Sequence, residues 1–133
     1  MAAVSTFLMF QGEAEEAVNF YTSIIENSSI ESLQKYGKEG PGKEGSVFRA
    51  VFTLNGVKYM AIDSPAVHDF TFTPSLSIFV SCESEAEINL LWEKLSNGGE
   101  ELMAIGDHGF SKRFGWVNAV SYTHLRAHET DSY

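Results

Sequence analysis

One cysteine, Cys82, in 133 residues excludes a disulfide framework within the chain, and with it the small secreted scaffolds that depend on one. Prolines number three, too few for a proline-rich linker or a collagen-like repeat. No apolar run approaches the roughly 20 residues that a membrane-spanning helix needs. Met1 to Ser5 hold no Lys or Arg ahead of the apolar stretch Phe7 to Phe10, which is too short for a signal-peptide core. The expectation is a cytoplasmic protein that does not engage a membrane, so Asn27-Ser28-Ser29, which fits the glycosylation pattern, carries no weight. Positive charge is also scarce, with 9 Lys and Arg against 18 Asp and Glu and a net charge of −9. Without a basic stripe to release counterions from phosphates, no nucleic-acid partner is expected.

What is present belongs to an ordinary folded chain, 44% hydrophobic and 20% charged, long enough to bury about two thirds of its unfolded surface. Thr6 to Phe10 is β-prone. After Gly12 the spacing changes, and Ala14, Ala17, Val18, Tyr21, Ile24 and Ile25 line one face of a helix that Glu13, Glu15 and Glu16 begin at its dipole's positive end. Ser29 to Tyr36, Val47 to Leu54 and Val57 to Ile62 read as strands. Asn55-Gly56 joins the last two as a hairpin turn, because both residues tolerate positive φ. A strand at Leu76 to Cys82 then precedes a helix at about Glu85 to Asn97, opened by the capping box Ser84 and Glu87 and stopped by Gly98-Gly99. Ile88, Leu91, Trp92 and Leu95 form its apolar face. Glu101 to Ile105 and Arg113 to Val117 follow as strands. Placing Phe20-Tyr21 on Leu91-Trp92 gives an offset of 91 − 20 = 71, so one strand-helix-strands unit is written twice.

Several constellations look chemical and have plainer readings. Gly37, Gly42 and Lys43 stand in phosphate-loop register, yet Glu44 replaces the Ser or Thr and a strand follows where a helix is needed. His124 and His128 would share one face if helical, but a zinc site needs more ligands than these two. His68 beside Asp69, and His108 beside Asp107, suit a general base; exposed loop residues are the plainer account. Cys82 has no cation near it in sequence to activate its thiol.

The ordered set Phe10-Gln11-Gly12-Glu13-Ala14-Glu15-Glu16-Ala17 with Phe20-Tyr21, Gly40-Pro41-Gly42, Glu44 to Val47, Phe72-Thr73-Pro74, Leu91 to Leu95, Gly98 to Glu101 and Phe110 to Val117 resembles the vicinal oxygen chelate (glyoxalase and bleomycin-resistance) superfamily. Within it the chain is similar to the PhnB-like branch, which often carries a demethylubiquinone 3-methyltransferase label. The resemblance implies an α+β fold of two β-α-β-β-β modules forming a cupped mixed sheet with helices outside, and a homodimer. The modules fall at about 1–64 and 73–118, with 65–72 between them. After Asn118 the branch continues with an acidic and a basic residue and Phe-Gly-Val-Ser-Trp-Gln. Here residues 119–133 depart from that ending and resemble a cloning linker, though Val120 to Thr123 could pair as a makeshift edge strand.

Metal-dependent members of the superfamily take His, Gln or Glu ligands from the first strand of each module and from later strands. The resemblance sets Thr6 at the first ligand position, the offset sets Ser77 at its twin, and Ser75 lies on the same strand face. Hydroxyls are poor ligands for Zn²⁺, Fe²⁺ or Ni²⁺, and the strand that should supply a carboxylate has Met60, Ala61 and Ile62. No metal and no cofactor are expected. Nor does any Gly-rich strand-to-helix turn suit the nucleotide-like cofactor of a methyltransferase. One reading is a binding module whose small-molecule site is lined by Phe7 or Leu8, Met60, Phe110, Phe114 and Trp116 around the hydroxyls of Thr6, Ser75 and Ser77. The other is a metal-dependent lyase, isomerase or dioxygenase whose ligands lie elsewhere; core packing is the plain account of the aromatics.

Overall fold

The computed structural model describes residues 2–66, 77–107, 109, 113–119 and 123–129. The chain divides into two compact units, Met1–Thr71 and Phe72–Tyr133, and the same plan is used in both. Unit 1 contains β1 (Thr6–Phe10), α1 (Ala14–Ile24), β2 (Ser29–Lys35), β3 (Val47–Leu54) and β4 (Val57–Asp63). Unit 2 contains β5 (Ile78–Cys82), α2 (Glu85–Ser96), β6 (Glu100–Gly106), β7 (Phe114–Ala119) and β8 (Thr123–Glu129). The sheets run β1-β4-β3-β2 and β5-β8-β7-β6. In each, the first strand lies parallel to the last strand of its own unit, while the other ladders are antiparallel.

The apolar stripe expected on α1 is the one that is buried, through Ala14, Ala17, Val18 and Tyr21. It packs on a sheet face made by Leu8, Phe10, Ala50, Phe52, Leu54 and Ala61, all buried. Ile25 turns extended and ends the helix. In unit 2 the stripe Ile88, Leu91, Trp92 and Leu95 is buried beside Cys82 and Val117. Ser84 Oγ accepts the Glu87 N–H at 3.1 Å. The Glu87 carboxylate takes the Glu83 N–H at 3.2 Å, one residue ahead of the capping-box donor. Asn55 and Gly56 have φ of 48° and 81°, the left-handed pair that a two-residue hairpin requires.

Two sequence expectations need correcting. The helix N-caps Glu13 and Ser84 keep the expected separation, 84 − 13 = 71, but β1 and β5 begin 78 − 6 = 72 residues apart. Thr6 therefore corresponds to Ile78, not Ser77. Secondly, the strand expected at the edge over Val120 to Thr123 runs instead over Thr123–Glu129, in the interior, between β5 and β7. Ladder bonds use backbone groups that any residue except proline supplies, so an atypical sequence still fills this place. Among the described residues, no helix is long and apolar enough to cross a membrane.

Candidate functional site

Strand alternation sends successive side chains to opposite faces, so burial under the helix identifies the other face of each sheet. In β1, Leu8 (3% exposed) and Phe10 pack beneath α1, whereas Phe7 (53%) and Met9 (39%) lie on the helix-free face. Register continues this face across the sheet, with Phe7 opposite Met60 and Met9 opposite Ile62, and Met60 opposite Val51 on β3. Apart from Lys58, which shares this face opposite Thr53, apolar side chains thus occupy its β1 and β4 side. Its β2 side is polar, where Ser32 pairs with Val51 and Gln34 with Arg49.

The same alternation in β7 turns Gly115 and Val117 toward α2. A Cβ on Gly115 would overlap the Trp92 ring, whose indole N–H donates to Glu101 Oε1 at 3.3 Å. Phe114 and Trp116 accordingly belong to the helix-free face of unit 2. Trp116 pairs with Met103 on β6, and Phe79 on β5 is 54% exposed on that side. Ser77, just ahead of β5, has a buried hydroxyl oxygen with no hydrogen-bond partner among the described residues.

One buried carboxylate holds the sheet and helix of unit 1 in place. Asp63, 2% exposed, accepts the Gly12 N–H at 2.7 Å and the Ala14 N–H at 3.0 Å on Oδ1. Its Oδ2 takes the Val47 N–H at 2.8 Å. It therefore caps α1, whose N-cap residue Glu13 offers no side-chain bond, and clamps the start of β3 to the end of β4. Tyr36 donates its hydroxyl to the Asp63 carbonyl at 3.1 Å. The glycine-rich loop that follows folds back on Tyr36: its N–H reaches the Ser46 carbonyl at 2.8 Å, and its carbonyl accepts the Gly45 N–H at 3.1 Å. A Cβ on Gly42 would overlap the Tyr36 ring. The glycines serve this close approach, and the phosphate-loop likeness has no helix behind it. Tyr59 stacks on Phe52 at 5.6 Å, and burial raises its hydroxyl pKa above 10.0.

The residues expected at the site are spread over several environments. Met60, Phe114 and Trp116 stand on helix-free faces and Ser77 beside one. Leu8 does not: it is core, and of the pair Phe7 or Leu8 the presented residue is Phe7. Thr6 shares the alternation of Leu8 and Phe10, opposite Tyr59, so it belongs to the α1 side. The one-residue difference between the strand and helix offsets is why Thr6 and Ser77, set as twins, fall on opposite strand faces. Ser75 and Phe110 lie outside the described residues, as do His68, Asp69 and His108. His124 and His128 stand on a strand, where residues four apart are separated by about 13 Å. That is too far to share one ion.

Positions on the helix-free faces of β1, β4 and β5 carry Phe7, Met9, Met60, Ile62, Phe79 and Ser81. Thioethers, a hydroxyl and hydrocarbon do not make the imidazole and carboxylate set that Zn²⁺, Fe²⁺, Ni²⁺ or Mn²⁺ prefers. No group of three His, Cys, Asp or Glu placed to hold an ion occurs among the described residues. Among the described residues on the helix-free faces of these strands, then, none supplies the donors such a metal prefers.

Comparison with known proteins follows this geometry. The sequence profile of the 3-demethylubiquinone-9 3-methyltransferase family matches residues 2–120. No curated protein matches. Among solved structures, a PhnB protein from Bacillus cereus is 48% identical, with a TM-score of 0.94 over 97% of this chain and 100% of its own. A glyoxylase/bleomycin resistance protein/dioxygenase domain from Frankia shares the fold at 15% identity and TM-score 0.65, over 97% and 98% of the two chains. The fosfomycin resistance protein FosX from Listeria monocytogenes does so at 12% and 0.63, over 97% and 93%. The chain belongs to the 3-demethylubiquinone-9 3-methyltransferase family in its PhnB-like form, and it shares the α+β fold of the glyoxylase/bleomycin resistance proteins.

Proposed function

We propose that this chain binds a small molecule on the helix-free faces of its sheets and does so without a resident transition metal. The observation that carries the reading is the row Phe7, Met60 and Val51 across β1, β4 and β3. It sets apolar side chains across the helix-free face, and an apolar lining with a few polar groups beside it is the usual make-up of small-molecule sites. In unit 2, Phe79, Trp116 and Met103 extend the same character. Methyl transfer in the sense of the family's name is disfavoured by the β1–α1 turn. That turn has two of its N–H groups, those of Gly12 and Ala14, committed to Asp63, and it lacks the Gly-rich form that holds a nucleotide-like cofactor. The reading includes a cytoplasmic homodimer without a membrane partner, and the net charge of −9 supports the absence of a nucleic-acid partner.

A thermal-shift screen of small aromatic and amphipathic compounds, run with elemental analysis of untagged protein, tests it. A ligand at 100 times its Kd adds about 2.7 kcal/mol, a clear rise in melting temperature that Phe7→Ser with Met60→Ser should abolish. About one Zn, Fe, Ni or Mn per chain, lost on mutating the helix-free faces, would instead establish the metal-dependent enzyme.

A further inference from the structure

We infer that the ligand is an amphipathic anion and that Arg49 receives its negative group, a narrowing that rests on the binding reading above. The strands of unit 1 carry three cations: Lys35, Arg49 and Lys58. Lys35 Nζ lies 3.2 Å from Glu15 Oε1 and Lys58 Nζ 4.0 Å from Glu31 Oε2. Arg49 is exposed, and no carboxylate lies within 4.0 Å of it among the described residues. Of the three strand cations of unit 1 it is the one left without an acid among the described residues.

Its place in the sheet gives that charge a use. Ala50 is fully buried toward α1, so Arg49 and Val51 project to the helix-free face, with Gln34 as the cross-strand neighbour of Arg49. Adjacent strands are about 4.8 Å apart, so from Arg49 on β3 across β4 to Phe7 and Met9 on β1 is roughly 10 Å. That span suits a one- or two-ring body bearing an anionic substituent. A guanidinium engages carboxylate, sulfonate or phosphonate oxygens two at a time. Nucleic acid is a poor fit, since it needs clustered cations.

Two fluorescent probes separate the terms: 1-anilinonaphthalene-8-sulfonate, and N-phenyl-1-naphthylamine, the same ring system without the sulfonate. The full chain should bind the sulfonate more tightly than the neutral amine. Arg49→Gln should weaken the sulfonate about tenfold, a loss of roughly 1.4 kcal/mol, and leave the amine unchanged, while Arg49→Lys retains part of the difference. Benzoate, benzenesulfonate and phenylphosphonate as competitors then rank the anion. Arg49 is exposed and makes no side-chain bond among the described residues, so the variants should melt with the wild type. If both probes bind equally and Arg49→Gln alters neither, the anion assignment is wrong and the binding reading stands. If neither probe binds the wild type, both fall.

Discussion

Replacing Asp63 by Ala should cost unit 1 about 4 kcal/mol, from three N–H groups left without an acceptor at about 1–3 kcal/mol each. The total is set below the sum because the Gly12 N–H, only part-buried, can turn to water, whereas those of Ala14 and Val47 are buried. Asp63→Asn should cost about 2 kcal/mol, since one amide oxygen can keep the Gly12 and Ala14 bonds while the amide NH₂ faces the Val47 donor. A domain stable by about 5–15 kcal/mol loses much of its margin in the first case and survives the second. Urea melts followed by far-UV circular dichroism measure the difference. Both tryptophans, Trp92 and Trp116, belong to unit 2, so their fluorescence follows that unit separately and reports whether the two transitions move together. A loss below about 1 kcal/mol in Asp63→Ala, or equal losses in the two variants, would refute the view that this carboxylate is the cap and clamp of unit 1.

Gly115→Ala should destabilise by about 2 kcal/mol by overpacking the Trp92 ring, measured as a lower urea midpoint of the tryptophan transition. Ser84→Ala should remove about 1 kcal/mol by uncapping α2, and Ser84→Asp, which can also cap, should recover most of it in the same melt. Burial raises the Tyr59 pKa, so the unfolded chain releases that proton first. The stability it contributes is complete below pH 10 and is lost as pH rises through the folded pKa. The advantage of wild type over Tyr59→Phe in urea midpoint should therefore shrink between pH 9 and 11, and parallel curves would contradict it. Replacing the residues after Asn118 by Asp-Lys-Phe-Gly-Val-Ser-Trp-Gln should raise stability by about 3 kcal/mol, since it returns large apolar side chains to an interior strand. It should also sharpen elution toward one dimer peak. Equal melting temperatures would show that the present strand already serves.

Local patterns were readable in advance because their causes are local. The α1 and α2 stripes, the Ser84 cap and the Asn55-Gly56 turn each lie within a few residues of what they determine. What escaped depends on distance or parity. Asp63 caps a helix from 51 and 49 residues away, and nothing near Gly12 signals it. The offset, off by one residue between strands and helices, paired Thr6 with Ser77 across opposite faces, and the choice between Phe7 and Leu8 needed the burial that only the packed helix supplies. Met9, Ile62 and Val51 were overlooked because hydrophobic side chains read as core until a sheet shows which face has a helix. The interior place of β8 was hidden by its composition, since pairing is a property of backbone that side chains only bias.

Parallel pairing of the first and last strands of each unit also orders events during synthesis. β5 ends at Cys82 and its partner β8 begins at Thr123, so 122 − 82 = 40 residues separate them. At about 5–20 residues per second, β5 waits roughly 2–8 s for its partner. Over that interval its edge is open, with Phe79 beside it. Chains interrupted between residues 83 and 122 are expected to leave that edge permanently unpaired and to aggregate. β1, which ends at Phe10, waits in the same way for β4, which begins at Val57, so each unit has one such stretch of translation and chains interrupted just after Asp63 fall between the two.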